Sequence, residues 1–286
     1  MRYYVGNMGN GCCSGRYKLI SGLLFGVSLV SPLGAFAAVW APQETAVFDL
    51  VNMQRGFNNV NHLQQDDRLH TAALGHSQSM ADNNFFSHTT LSGSNGATFS
   101  GRITDAGYNW TAAGENIAGG QGRDFTSGIN QMNATDAARD VMYGTTEFTS
   151  INTFFSDNFG ISASGWGELG IGVTGEAWDS WQANQAGSGG WMGSSGHRHN
   201  ILNDMFDDLG VGYVWEPTDM PPILLDGGNT ISFPLHTYWT QSFAAGDSVA
   251  PVPLPGAFWL LGSGLLSLIY MGRQRRATHR VDDLLA

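Results

Sequence analysis

Apolar positions recur at helical spacing in two segments of the chain. In the first, residues 43–57, the spacing puts Val47, Leu50, Val51 and Gln54 on one helical face, which predicts an amphipathic helix. The second, residues 66–84, begins with two acidic residues suited to a helix N-terminus and ends at Asn83-Asn84. Its stripe consists of Leu69, Ala72, Ala73, His76 and Met80.

Shorter patterns follow further along the chain. Residues 102–106 and 136–143 are predicted helices, and residues 185–190 have the composition of a flexible loop. Four segments are typical of strands: residues 169–173, 209–214, 231–233 and 238–243. Since helices come early and strands late, the order predicts an α+β fold with an antiparallel sheet.

Composition indicates a folded chain. The 286 residues are 42% hydrophobic, 12% aromatic and 13% charged, which is too apolar for a disordered protein. The formal net charge is −11, and residues 38–250 contain no lysine. An acidic surface repels phosphate backbones, so nucleic acid is excluded as a partner. Such a surface serves solubility or attracts cations.

Cysteine usage excludes two classes of protein. Cys12 and Cys13 are the only cysteines, and both lie near the N-terminus. The segment 38–250 therefore has no disulfide framework and no thiolate ligands for a structural zinc site.

The first 37 residues have the organisation of a secretory signal peptide. Basic residues precede an apolar stretch that ends in Ala35-Phe36-Ala37, a small-residue motif for signal peptidase. The alternative is a retained membrane helix. Cleavage predicts an exported protein that begins at Ala38.

Residues 251–286 form a second targeting segment. A proline motif at 252–256 precedes the uncharged stretch Gly256–Met271 and an arginine cluster, Arg273, Arg275 and Arg276. This order resembles the PEP-CTERM sorting signals in their VPLP variant, which implies processing by an exosortase-like enzyme in a Gram-negative cell envelope. The alternative is a transmembrane helix that anchors the chain.

A series of motifs in residues 44–245 resembles one superfamily. In chain order they are Asn52–Gly56, Leu69–Met80, Phe85–His88 (FFSH), Arg102–Tyr108, Gly114–Ala118 (GENIA), Trp191–Leu202, Leu209–Tyr213 and Tyr238–Phe243. Together they resemble the bacterial, SCP-like branch of the CAP superfamily. The resemblance implies a three-layer α-β-α sandwich with a central antiparallel sheet, interrupted here by a long glycine- and aromatic-rich insertion at 119–190.

The resemblance also implies a shallow cleft lined by histidines and glutamates. His88 of FFSH and His197 of the Gly-His-Arg motif match the two histidines, and Glu115 of GENIA matches the first glutamate. Ser194 stands where eukaryotic relatives have the second glutamate. Asn200 is expected to anchor the turn that carries His197.

Two neutral imidazoles in one cleft are ligands for a divalent metal ion, most often Zn²⁺. With two protein ligands the affinity is expected to be modest. Glu115 then orients a histidine, acts as the general base of a metal-assisted hydrolase, or only holds its own turn. The favoured hypothesis is a metal- or small-ligand-binding cleft. A peptidase, a lipid or sterol carrier and an extracellular matrix or adhesion module are the alternatives.

Other residues have simpler interpretations. Ser194 and Ser195 are expected to cap a turn, His76 to pack in the interior, and Arg198 to pair with an acid. The acidic run Asp204, Asp207 and Asp208 indicates a solvated helix end. In the insertion, three tryptophans predict either a packed layer or an exposed binding surface: Trp166, Trp178 and Trp181.

Overall fold

The computed structural model describes residues 38–90, 98–126, 128–186 and 188–246. Its helices are α1 (Pro42–Phe57), α2 (Asp67–Asp82), α3 (Phe99–Asp105), α4 (Ala134–Tyr143), α5 (Phe148–Phe159), α6 (Gly175–Asn184), α7 (Gly190–Gly193) and α8 (Ser195–Leu202). The strands are β1 (Gln64–Gln65), β2 (Phe85–Phe86), β3 (Trp110–Gly119), β4 (Arg123–Asp124), β5 (Asn130–Gln131), β6 (Asp208–Trp215), β7 (Ile223–Leu225), β8 (Thr230–Ile231) and β9 (Thr237–Gly246).

The main sheet places β3 at one edge. Within the described residues its strand order is β1-β6-β9-β3. The three long strands β6, β9 and β3 are antiparallel, and the two-residue β1 joins β6 in parallel. The register puts Glu115 of β3 and Gly210 of β6 on either side of Ser242 in β9.

Alternation along the strands separates the two faces of this sheet. On β6, Leu209, Val211 and Tyr213 join the large core that includes side chains of α1, α4, α6, α7 and α8. Gly210 and Gly212 point to the opposite face, where α2 packs. Helices therefore cover both faces, which confirms the predicted α+β three-layer sandwich with an antiparallel centre.

The two glycines of β6 allow α2 to approach the sheet closely. A Cβ atom built on Gly210 would lie 2.0 Å from the carbonyl carbon of Leu69, and one on Gly212 would lie 2.3 Å from the main-chain nitrogen of Leu74. Both neighbours are backbone atoms of α2, so neither can move aside without displacing the helix. The glycines are thus a packing requirement of the sandwich.

A second, smaller sheet joins two distant segments. Its order is β2-β7-β8, and β2 pairs with β7 in parallel, with Phe86 opposite Leu225. The residues that follow these two strands are consequently neighbours. This places Ser87 and His88 beside Asp226, which begins a 3-10 turn at Asp226–Gly228.

The insertion at 119–190 contains helices as well as the short strands β4 and β5. It contains α4, α5 and α6, of which only α4 was predicted. Trp178 and Trp181 are 2% and 1% exposed and pack in the main core, so they form a buried layer and not an exposed binding surface. The apolar aromatic content of this region stabilises the fold by burial.

The structure differs from the sequence prediction at two strands and at the acidic residues expected to form a solvated helix end. Residues 169–173 form turns with positive φ at Gly170 and Gly172, because their apolar ends, Leu169 and Val173, reach the core without pairing to a strand. The strand predicted at 231–233 is limited to Thr230–Ile231. Asp208 is buried and accepts a hydrogen bond from the Tyr108 hydroxyl at 2.7 Å, so it is not solvated.

The predicted targeting segments, 1–37 and 251–286, lie outside the described residues. In the part of the chain that the structure describes, no helix is both long and apolar enough to span a bilayer.

Candidate functional site

Glu115 lies at the centre of the site, on the edge strand β3. Its side chain is only 1% exposed, and each carboxylate oxygen has a partner. Oε1 lies 2.9 Å from Nδ1 of His88, and Oε2 accepts a hydrogen bond from the Arg102 guanidinium at 2.6 Å. A buried carboxylate is stabilised by such charge-assisted contacts.

The contact with Glu115 fixes the tautomer of His88. A carboxylate oxygen accepts hydrogen bonds, so Nδ1 of His88 is the donor in this contact and Nε2 is the ring nitrogen that the contact leaves available. The His88 side chain is 46% exposed. Arg102 also donates to the main-chain oxygen of His88 at 3.1 Å. One arginine thus holds both the backbone of His88 and the carboxylate that orients its ring.

His197 lies on α8 and borders the same cavity as His88. The cavity has a volume of about 350 Å³ and is lined by Phe86, Ser87, His88, Ile117, His197, Leu225 and Asp226. Burial, reinforced by nearby His88, lowers the pKa of His197 to about 4. The ring is therefore neutral at pH 7, the form that ligates metals.

Amide side chains tie α8 to the edge strand. Asn200 donates to the main-chain oxygen of Glu115 at 3.1 Å and to Oδ1 of Asn116 at 2.8 Å. Asn116 in turn donates to the main-chain oxygen of His197 at 3.1 Å. Asn200 therefore anchors the helix that carries His197, as predicted.

Two buried arginines attach α8 to neighbouring helices. Arg198 donates to Asp179 at 2.8 Å, which confirms its predicted pairing with an acid. Arg55 of α1 is fully buried and donates to the main-chain oxygens of Ile201 and Asn203, each at 2.9 Å, at the C-terminal end of α8. A cation at this end also complements the helix dipole.

Ser194 occupies the N-cap position of α8, but its side chain makes no capping hydrogen bond. The predicted position is therefore correct, but the predicted capping hydrogen bond is absent. Ser194 borders a second cavity together with His197. His76 is fully buried, as predicted, with Nε2 2.9 Å from the main-chain oxygen of Ser87.

Two residues of the site were not predicted. Arg102 belongs to a recognised motif, but nothing in its spacing shows that it reaches Glu115. Asp226 borders the cavity and accepts a hydrogen bond from the Ser87 hydroxyl. Asp226 lies 139 residues from Ser87 in the chain, and the β2–β7 pairing brings the two segments together. Local sequence patterns carry no signal for such a contact.

The structure places His88 and His197 on one cavity and Glu115 in contact with His88. Both histidines line the cavity, whereas both carboxylate oxygens of Glu115 are occupied by His88 and Arg102. The geometry therefore favours an orienting role for Glu115 over that of a general base. Across residues 38–90, 98–126, 128–186 and 188–246, no group of three or more His, Cys, Asp or Glu side chains is arranged to hold a metal ion.

Residues 48–220 match the family model described as the cysteine-rich secretory protein family, CAP. The match spans more than half of the chain, and the chain therefore belongs to this family. It is 27% identical over 171 residues to YkwD of Bacillus subtilis (strain 168), described as uncharacterized. The aligned region is 60% of this chain and 42% of that relative, so the chain spans less than half of its length.

Two solved structures are also similar. One is an extracellular protein containing an SCP domain from Bacillus anthracis str. Ames, with 22% identity, a TM-score of 0.37, and coverage of 71% of this chain and 40% of the other. The second is an outer surface protein of Borrelia burgdorferi, with 14% identity, a TM-score of 0.38, and coverage of 72% and 93%. The fold assignment depends on the elements described above and on the family match.

Proposed function

We propose that this CAP-domain protein is exported and binds a divalent metal ion, Zn²⁺ first among the candidates, through His88 and His197. The observation that carries the proposal is the His88–Glu115 pair beside a neutral His197 in one cavity. A carboxylate that accepts from the distal nitrogen of an imidazole raises its basicity and orients it toward a metal. A metal held there supplies Lewis acidity to a bound water or ligand.

The residues present fit such an ion with limited affinity. Two imidazoles are fewer than the three protein ligands usual for catalytic zinc, so a binding role is favoured over hydrolysis. Asp226 is an exposed acid on the same cavity and adds attraction for a cation. The strongly acidic composition of residues 38–250 acts in the same direction.

Calorimetric titration of the purified full chain with Zn²⁺ tests the proposal. We expect His88→Ala and His197→Ala each to weaken binding at least tenfold, and the double variant to abolish it. His199→Ala is the matched control, because His199 lies on the same helix but is exposed on a different surface. Circular dichroism verifies that each variant is folded. Equal zinc affinity in the wild type and the double variant would exclude this site.

A further inference from the structure

Arg102 places a positive charge beside the proposed metal site. It lies in the last turn of α3, and its side chain is 11% exposed. A guanidinium carries hydrogen-bond donors and no lone pair for a metal ion, and two cations repel each other. Any role of this arginine in metal binding is therefore exerted through the groups to which it donates.

Three acceptors lie around the Arg102 guanidinium. Nη2 donates to Oε2 of Glu115 at 2.6 Å and to the main-chain oxygen of His88 at 3.1 Å, and Nη1 donates to Oγ1 of Thr90 at 3.2 Å. Glu115 belongs to β3, whereas His88 and Thr90 follow β2. The donors of a guanidinium have a fixed planar geometry, so one arginine holds two separate segments of the chain together.

The helix that carries Arg102 is itself fixed to the sandwich. Its neighbour Ile103 is fully buried. Ile103 packs in a small core with residues from α2, from the segment before β3 and from β9: Leu69, Ala72, Tyr108 and Ala244. Core packing of α3 therefore determines where the guanidinium lies.

The contact of Arg102 with Oε2 also affects the other oxygen of Glu115. Because the Glu115 side chain is only 1% exposed, bulk water cannot replace the arginine as a donor. Loss of this donor would leave a buried carboxylate oxygen unpaired, which favours any rotation that finds a new partner. Such a rotation would move Oε1 away from Nδ1 of His88.

The acceptor beside Nδ1 determines which tautomer the neutral His88 ring adopts. Either nitrogen of a neutral imidazole can carry the proton, and the hydrogen bond made by one nitrogen selects the form. When Nδ1 donates to Oε1 of Glu115, the lone pair is on Nε2. Nε2 is then the nitrogen that can coordinate a metal ion.

We infer that Arg102 is a positioning residue, which holds Glu115 and residues 88–90 so that His88 donates from Nδ1 and keeps Nε2 for a ligand. The importance of this role for binding rests on the proposed metal site. The effect on the His88 ring does not depend on a metal ion, so it can be measured in the metal-free protein.

Long-range ¹H–¹⁵N correlation spectra of the full chain distinguish the two tautomers. They are recorded with EDTA at pH 8, where an ordinary histidine is neutral, and His88→Gln identifies the His88 signals. We expect the wild type to have the proton on Nδ1. Arg102→Met should give a mixture of tautomers, and Arg102→Lys, which retains a charged donor, should restore the wild-type form.

Arg139→Met is the matched control, because Arg139 pairs instead with Asp136 at 3.4 Å and lies over the Trp166 ring. It should keep the wild-type tautomer. In competition titrations with a zinc chelator, we expect Arg102→Met to bind zinc at least about tenfold more weakly and Arg139→Met to match the wild type. Circular dichroism verifies that each variant is folded.

A wild-type His88 with its proton on Nε2 would overturn the inference, and this result requires no variant to fold. A folded Arg102→Met protein with the wild-type tautomer would also overturn it. So would a mixture of tautomers in Arg102→Lys as large as that in Arg102→Met. A wild type that binds no zinc would instead contradict the proposed function, and the tautomer measurement would still decide the role of Arg102 toward His88.

Discussion

At the scale of single residues, the site depends on a carboxylate that has no access to solvent. Glu115 is stable in this position because His88 and Arg102 occupy its two oxygens. Removing His88 or Arg102 would leave one oxygen of Glu115 without a partner. A buried charge that has lost a partner is strongly destabilising. These contacts support the proposed role of Glu115, which is to orient the ring of His88.

Replacing Glu115 with Gln is expected to weaken zinc binding about 10- to 100-fold, the usual effect of losing a carboxylate that orients a metal-bound histidine. The glutamine is nearly isosteric but lacks the charge that raises the basicity of the ring. Competition titration with a zinc chelator measures the change. Glu176→Gln in the exposed first turn of α6 is the control. Unchanged affinity in Glu115→Gln would contradict the orienting role.

A second residue-scale property is the pH dependence of stability. Burial lowers the pKa of His76 to about 4, whereas an unfolded histidine titrates near 6.5. Between these values the unfolded chain binds more protons than the folded chain. The contribution of His76 is therefore fully present above pH 6.5 and is lost as the pH falls toward 4. For this fully buried ring the loss is on the order of 3 kcal/mol.

We expect the free energy of unfolding to fall between pH 7 and pH 4, and to fall less in His76→Gln. Glutamine retains a donor for the main-chain oxygen of Ser87 but does not titrate. Urea denaturation at a series of pH values measures the slope. His62→Gln, at an exposed position, should keep the wild-type slope. Parallel curves for wild type and His76→Gln would show that His76 does not control this transition.

At the scale of elements, the close packing of α2 on β6 determines the thickness of the sandwich. Gly212→Ala would place a methyl group within 2.3 Å of the main chain of α2. We expect a loss of about 3 kcal/mol or more, because overpacking against backbone cannot be relieved by a rotamer change.

Gly75→Ala provides the matched control for this prediction. Gly75 also lies in α2, but a Cβ atom there meets nothing within 4 Å. Alanine is a better helix former than glycine, so this variant should be more stable by about 0.5–1 kcal/mol. Thermal denaturation of both variants measures the two opposite effects. A Gly212→Ala protein as stable as the wild type would refute the packing argument.

At the scale of the whole molecule, the predicted signal-peptide cleavage site lies next to Ala38, the first described residue of the folded domain. Its main-chain nitrogen lies 3.0 Å from Oδ2 of Asp67 at the start of α2. Cleavage after Ala37 would convert this nitrogen to an α-ammonium group that pairs with the same carboxylate. The new terminus would then have a partner in the folded domain.

Mass spectrometry of the protein secreted by its own host is expected to show a chain that begins at Ala38. If the C-terminal segment is a sorting signal, the same spectrum should show a terminus near Pro255. A simple membrane anchor would instead leave Ala286 as the last residue. A chain that retains Met1 would contradict the predicted signal peptide.

The sequence by itself determined the helices with strong periodicity and the motifs of the site. In α2, the stripe from Leu69 to Met80 is buried as its spacing requires, because one face of an amphipathic helix must leave water. His88, Glu115 and His197 were predicted as site residues from the resemblance of their motifs to those of the family.

Tertiary structure decided what no local pattern encodes. The buried centre of β3 contains the polar residues Glu115 and Asn116. These residues interrupt the apolar pattern typical of a buried strand, so β3 was not predicted from the sequence. Arg102 and Asp226 enter the site through packing and a parallel strand pair between distant segments. The physical reason is that helix periodicity reflects contacts within one element, whereas the partner of a buried charge is chosen by the fold as a whole.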